Sequence, residues 1–191
     1  MNRREALSAV GILLGGTVVG SASFLEGCKS SGKKAAGLPF DPDTLNLLNE
    51  IAETILPTTP SSQGAKAANV ATFMNTIIMD CYVERDQRIF LDGIGQLQTA
   101  CNTKFSTAFI DCTPSQRTEL LIDLDNEQKS YSKSKKSEDP AHYFRMMKEL
   151  TLWGYFSSEI GCTQALRYEA VPGRYEGCVP YQPGEKAWAT S

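Results

Sequence analysis

Thr113-Pro114-Ser115-Gln116-Arg117-Thr118-Glu119-Leu120-Leu121-Ile122-Asp123-Leu124 reads as a complete helix start. The threonine hydroxyl can accept the amide of the third helical residue. Proline at the first helical position gives up no hydrogen bond, and the Gln116 side chain can return to the threonine amide, closing a capping box. Leu120, Leu121 and Leu124 then continue at helical spacing. No stretch of the chain alternates cleanly at period two, so the expected fold is all-α: an irregular bundle of about five helices.

The other helices are read outward from this one. From Asp41 to Leu56, Leu45, Leu48, Ala52 and Ile55 share a face; Asp41 or Asp43 caps the start and Pro57 ends it. A Pro/Ser/Gly loop follows to Lys66. Asn69 is expected to cap a second helix with Val70, Phe73, Met74, Ile77, Ile78 and Cys81 inward. A third spans Glu84 to Phe105, with Ile89 or Phe90, Ile94, Leu97 and Cys101 inward and Gly93 and Gly95 as weak points. Beyond Leu124, residues 129–136 read as a polar loop. Asp139-Pro140 then opens a last helix with Phe144, Met147, Leu150 and Trp153 or Gly154 inside, and Gly161 closes it. These helices make a domain over residues 41–169.

The segment 170–191 has a different character. Val171 to Gly184 holds three prolines and three glycines, which excludes a helix, yet it keeps Tyr175, Val179 and Tyr181, with Trp188 beyond. An extended aromatic arm must lie on something, either its own bundle or another subunit. Tyr, Trp and Arg are the usual anchors of interfaces, so Tyr168, Pro172, Arg174, Tyr175, Tyr181 and Trp188 are the candidate partner-binding residues.

Little in the chain suggests chemistry. There is one histidine, His142, which reads as a surface or capping residue. No dinucleotide fingerprint, P-loop, nucleophile elbow or Cys-x-x-Cys-His is present, so no catalytic residue is assigned. Cys81, Cys101, Cys112, Cys162 and Cys178 are too widely spaced for a compact zinc or iron–sulfur motif, and no metal or cofactor is expected in this chain. Cys81 and Cys101 read as core residues. Cys162 and Cys178, which flank the arm, are the candidate disulfide pair. The net charge of -3 and the absence of a basic stripe argue against nucleic acid.

The chain opens Asn2-Arg3-Arg4-Glu5-Ala6-Leu7-Ser8, and a weakly apolar, glycine-containing run extends to Val19. A charged start before a short apolar stretch is a signal-peptide pattern, and the Arg3-Arg4 pair resembles the twin-arginine export motif. The competing reading is a simple membrane anchor, which the shortness of the run and Gly11, Gly15, Gly16 and Gly20 disfavour. Leu25-Glu26-Gly27-Cys28 resembles a lipobox, making Cys28 the candidate lipidation site; otherwise it is an ordinary cysteine near a cleavage point. Residues 1–27 are thus read as the signal and 28–40 as a Lys/Ser/Gly tether. With the signal set aside, roughly 160 residues remain, enough for one domain with a real core.

The opening Asn2-Arg3-Arg4-Glu5-Ala6-Leu7, the helix Leu48-Asn49-Glu50-Ile51-Ala52-Glu53-Thr54-Ile55-Leu56-Pro57, the segment Tyr155-Phe156-Ser157-Ser158-Glu159-Ile160-Gly161 and the tail Val171-Pro172-Gly173-Arg174-Tyr175-Glu176-Gly177-Cys178 together resemble the gluconate 2-dehydrogenase subunit 3 family. The layout around Cys28 resembles its Bacteroidetes branch. The resemblance implies a non-catalytic small subunit of a periplasmic, membrane-attached dehydrogenase. Its partner would be a large glucose-methanol-choline-type flavoprotein that holds FAD and oxidises a sugar or polyol, and a cytochrome c carrying haem commonly takes the electrons. It also implies that the small subunit carries the twin-arginine signal, recognised by the translocase, and takes the folded flavoprotein across with it. The alternatives are a stand-alone envelope lipoprotein that binds a ligand or another envelope protein, and an independent enzyme.

Overall fold

The computed structural model describes residues 40–189 apart from Pro172, Tyr175 and Glu176. The signal, the tether and Cys28 lie outside the described residues. Among the described residues there are five α-helices: α1 Pro42–Ile55, α2 Val70–Cys81, α3 Glu84–Phe105, α4 Pro114–Ser134 and α5 Tyr143–Phe156. A 3-10 turn, Phe109–Asp111, joins α3 to α4, and a π-helical turn, Gly161–Ala165, follows α5. Among the described residues there are only two isolated β-bridges, Thr59 with Ser62 and Arg167 with Trp188.

Helix α5 is the centre of the bundle and packs on all four other helices, most extensively on α2. Its buried residues are Tyr143, Phe144, Met146, Met147, Leu150, Thr151, Gly154 and Tyr155, a face too wide for a surface helix. Thr151 is tolerated inside because its hydroxyl donates to the Met147 carbonyl at 2.8 Å. Gly154 is where α5 and α2 cross closely: a Cβ there would stand 2.7 Å from the Phe73 ring. Gly93 of α3 serves the same purpose, since a Cβ on it would overlap the side chain of Tyr143. Gly93 is thus a packing requirement of the α3–α5 contact, whereas Gly95 faces open space.

The caps follow local chemistry. The Asp41 carboxylate accepts the Thr44 amide at 2.7 Å. Thr113 and Gln116 form the full capping box at the start of α4. Asn69 departs from expectation. It is left-handed at φ 52°, and its side chain accepts the Thr72 hydroxyl instead of an amide. Asn49 of α1 reaches across and accepts the Ala71 amide at 3.2 Å, so tertiary contact supplies the missing cap.

Several boundaries and faces differ from the sequence reading. Residues 129–134 are helical, because α4 runs on to Ser134. This turn is held by the Lys129–Asp125 ion pair and by the Tyr131 hydroxyl donating to the Pro140 carbonyl. The last helix starts at Tyr143 and not at Pro140. Asp139 is tied back by the Lys136 amide, and His142 is the N-cap, its Nδ1 accepting the Phe144 amide at 3.2 Å. The helix ends at Phe156, and Gly161 opens the π-turn beyond it. On α3 it is Phe90, not Ile89, that is fully buried, stacked on Phe40. On α2 the buried face is Val70, Ala71, Met74, Asn75 and Ile78, and Cys81 is exposed. Trp153 is 55% exposed, because the tight α2–α5 crossing leaves room inside only for Gly154.

Candidate functional site

Two of the motifs read from the sequence, residues 48–57 and 155–161, meet near the root of the arm through the loop between α1 and α2. Glu53, near the end of α1, organises the loop behind it. Its Oε1 accepts the Thr58 amide and hydroxyl at 2.9 and 2.8 Å, and its Oε2 accepts the Lys66 amide at 2.9 Å. A Cβ on Gly64 would run into that carboxylate and force it to shift. One turn earlier, Glu50 pairs with Lys66 and with Arg117 of α4, and these two cations hold its pKa below the ordinary value. The loop so formed meets the far end of α5. The Tyr155 hydroxyl donates to the Gln63 carbonyl at 2.7 Å, and the Gln63 amide donates to Gln164 Oε1 at 2.9 Å.

Tyr155 to Gly161 makes the exit from the bundle. The Ser158 hydroxyl donates to the Tyr155 carbonyl at 2.6 Å, and the Gly161 amide donates to that same hydroxyl oxygen at 3.0 Å. Gly161 cannot carry a side chain, because its Cβ would overlap the Tyr155 carbonyl. The motif therefore encodes a sharp turn that redirects the chain into Arg167 and the arm.

Arg167 closes the arm's root. Its amide donates to the Ala187 carbonyl at 2.8 Å, and its carbonyl accepts the Ala189 amide at 2.9 Å. Its guanidinium pairs with Glu185 at 2.6 Å and lies over the Trp188 indole, 3.9 Å from the ring centroid. Lys186 adds a hydrogen bond to the Gln164 carbonyl. Arg167, just before Tyr168, and residues 185–189, just after Gly184, are thus fastened together.

Of the interface candidates among the described residues, Tyr181 is 77% exposed, Tyr168 49% and Trp188 45%, and Val171 in the same segment is 80% exposed. Arg174 is also exposed. Pro172 and Tyr175 lie outside the described residues. Trp188 is both an exposed ring and the lid of the root, a double role the sequence did not show. Cys162 directs its thiol to the Phe156 carbonyl at 3.2 Å and Cys178 is exposed; the structure does not bring the two together, and both are free thiols. His142 is a cap, stacked on Tyr143 with ring centroids 4.5 Å apart.

The sequence reading missed Arg167, Glu185 and Gln164, which hold the root. It also missed an exposed apolar group on the outer face of α5, Leu152, Trp153 and Phe156, with Trp153 edge-on to Phe73 at 5.2 Å. The one available signal was the run Leu152-Trp153-Gly154-Tyr155-Phe156, too apolar for a single inward stripe. Among the described residues no group of three or more His, Cys, Asp or Glu side chains could hold a metal ion, and no helix is long and apolar enough to cross a membrane.

The fold and this site define a small helical domain with exposed aromatic residues on a C-terminal segment fastened at Arg167. The family model described as gluconate 2-dehydrogenase subunit 3 matches residues 42–173, which takes in all five helices, the π-turn and the start of the arm. The chain belongs to that family, and is therefore an accessory subunit of a dehydrogenase complex, associated with a catalytic subunit. No curated protein and no solved structure matches the chain.

Proposed function

We propose that this chain is the non-catalytic small subunit of a periplasmic FAD-dependent sugar or polyol dehydrogenase, and that it docks its flavoprotein through the C-terminal arm. The observation that supports docking is the contrast in burial between bundle and arm. The bundle closes its own core, while Tyr168, Val171, Tyr181 and Trp188 remain substantially exposed on a loop whose root is fastened. A loop already fixed at both ends and rich in proline loses less entropy on binding than a free tail. Tyrosine and tryptophan rings can bury their faces against a partner and keep a polar edge at a wet rim. FAD would sit in the flavoprotein and haem in a cytochrome c acceptor. Arg3 and Arg4 would direct twin-arginine export of the folded pair, and a lipid on Cys28 would hold it at the membrane.

Truncation after Leu166 tests the docking reading. Circular dichroism should show a folded helical bundle, and a pull-down should show that the flavoprotein is no longer retained. A truncated chain that loses its helices, or one that still retains the flavoprotein, refutes docking through the arm. Replacing Arg3 and Arg4 by lysine tests the export reading separately: both subunits should stay in the cytoplasm, and normal export of both would overturn it.

A further inference from the structure

Two cysteines far from the arm are in contact. Cys101 lies one turn before the end of α3 and Cys112 follows the 3-10 turn; their Sγ atoms are 3.3 Å apart. Cys101 is fully buried and Cys112 is 5% exposed. Both ends of the short connection between them are anchored. The Phe109 amide donates to Gln98 Oε1 at 3.3 Å. Arg117 donates from Nε to the Phe109 carbonyl at 3.1 Å and from Nη2 to the Ile110 carbonyl, while Nη1 pairs with Glu50 at 2.6 Å. The capping box begins at Thr113, the next residue after Cys112. The pairing is thus held by α3 on one side and by an arginine-clamped turn on the other. The sulfurs lie about 1.3 Å beyond disulfide bond length, a gap that small side-chain rotations can close.

We infer that Cys101 and Cys112 are a disulfide site, closed by exchange with a disulfide-bearing oxidant such as oxidised glutathione or the disulfide of a thiol oxidoreductase. One thiolate attacks the oxidant's disulfide, forming a mixed disulfide and releasing the first oxidant thiol. The second thiolate attacks the mixed disulfide, forming the Cys101–Cys112 bond and releasing the second thiol. Two electrons and two protons pass to the oxidant, which is reduced to two thiols. Burial raises the Cys101 thiol to about 12, so the thiolate is scarce in the closed fold. The bond therefore forms while the chain folds or when this corner opens, and the folded reduced protein oxidises slowly. Once formed, the bond is shielded from reductants by the same burial.

The test is refolding of the full chain in a glutathione redox buffer, followed by differential alkylation and peptide mapping. The expected result is one bond joining the Cys101 and Cys112 peptides, protected from alkylation until the protein is reduced while unfolded. Oxidised wild type should melt roughly 5–10 °C above the reduced form, because the bond restricts the unfolded chain. The double variant Cys101→Ala/Cys112→Ala should lose that redox-dependent difference. Free, alkylatable Cys101 and Cys112 after oxidative refolding would overturn the inference, whatever other cysteines pair. So would a melting temperature that falls when the mapped bond forms. The mapping is done on wild type, so the result stands even if the variant folds poorly.

Discussion

Arg167 and Trp188 are joined twice: by backbone hydrogen bonds in a parallel bridge, and by the guanidinium lying 3.9 Å from the centre of the indole. This pair turns what would be a loose C-terminal tail into a loop with a fastened base. Trp188→Ala removes the cation–π contact, worth about 0.5–1 kcal/mol at such an exposed site. The amides of Arg167 and Ala189 should then exchange hydrogen faster, while amides of α5 stay protected. Unchanged exchange at Ala189 would show that the bridge holds without the ring.

Gly93→Ala should destabilise the bundle by about 1–3 kcal/mol, because the new methyl meets the Tyr143 side chain at the α3–α5 crossing. Gly95→Ala, two residues on, faces open space and replaces glycine within a helix, so it should stabilise by up to about 1 kcal/mol. Thermal melts of the two variants should therefore move in opposite directions. A stabilised Gly93→Ala protein would mean the crossing is looser than described.

Arg117→Lys should cost about 2–3 kcal/mol despite keeping the charge. Lysine cannot serve the Phe109 and Ile110 carbonyls and Glu50 together, so part-buried acceptors lose their donor. Urea denaturation measures the loss. The clamp on the turn that carries Cys112 should loosen as well, speeding alkylation of that thiol in the reduced protein.

Asp125 sits between Lys129 and Lys148, and hydrogen bonds from these ammonium groups lower its pKa to about 2. A carboxylate depressed in the folded state contributes stability that is present above its unfolded value and lost as pH falls through the folded value. The contribution should fade between about pH 4 and pH 2. With both lysines partly exposed, solvent screening limits it to about 1 kcal/mol. Asp125→Asn should flatten that part of the stability–pH curve; an unchanged acid limb would place the dependence elsewhere.

Tyr181→Ala should leave the melting temperature of the isolated subunit within about 1 °C, because an exposed side chain contributes little to the fold. If its ring is an interface anchor, the same change should weaken flavoprotein binding by about 2 kcal/mol, roughly thirtyfold in Kd by titration. Full affinity with Ala at 181 would move the interface to other residues, with the exposed group Leu152, Trp153 and Phe156 the next to test.

The sequence by itself determined the features governed by a few neighbouring residues. The capping box at Thr113, an aspartate cap on α1 (Asp41 or Asp43) and the existence of the five described helices all follow from hydrogen bonds and backbone restrictions acting within about four residues. The family motifs were visible for the same reason, being contiguous, although their work is long-range: Glu53 orders a loop and Gly161 permits a turn. Tertiary structure decided whatever depended on how helices cross. It placed Phe90 inside over Ile89 and Gly154 inside over Trp153, because each crossing has room for one shape only. It carried α4 on to Ser134, where Tyr131 finds an acceptor at Pro140 and the Asp125–Lys148 pair ties that helix to α5. It brought Cys101 against Cys112 and left Cys162 and Cys178 free, and it folded Trp188 back on Arg167. Residue spacing shows which side chains share a helix face, but it carries no information on which faces meet, since contacts between helices depend on the packing of the whole core.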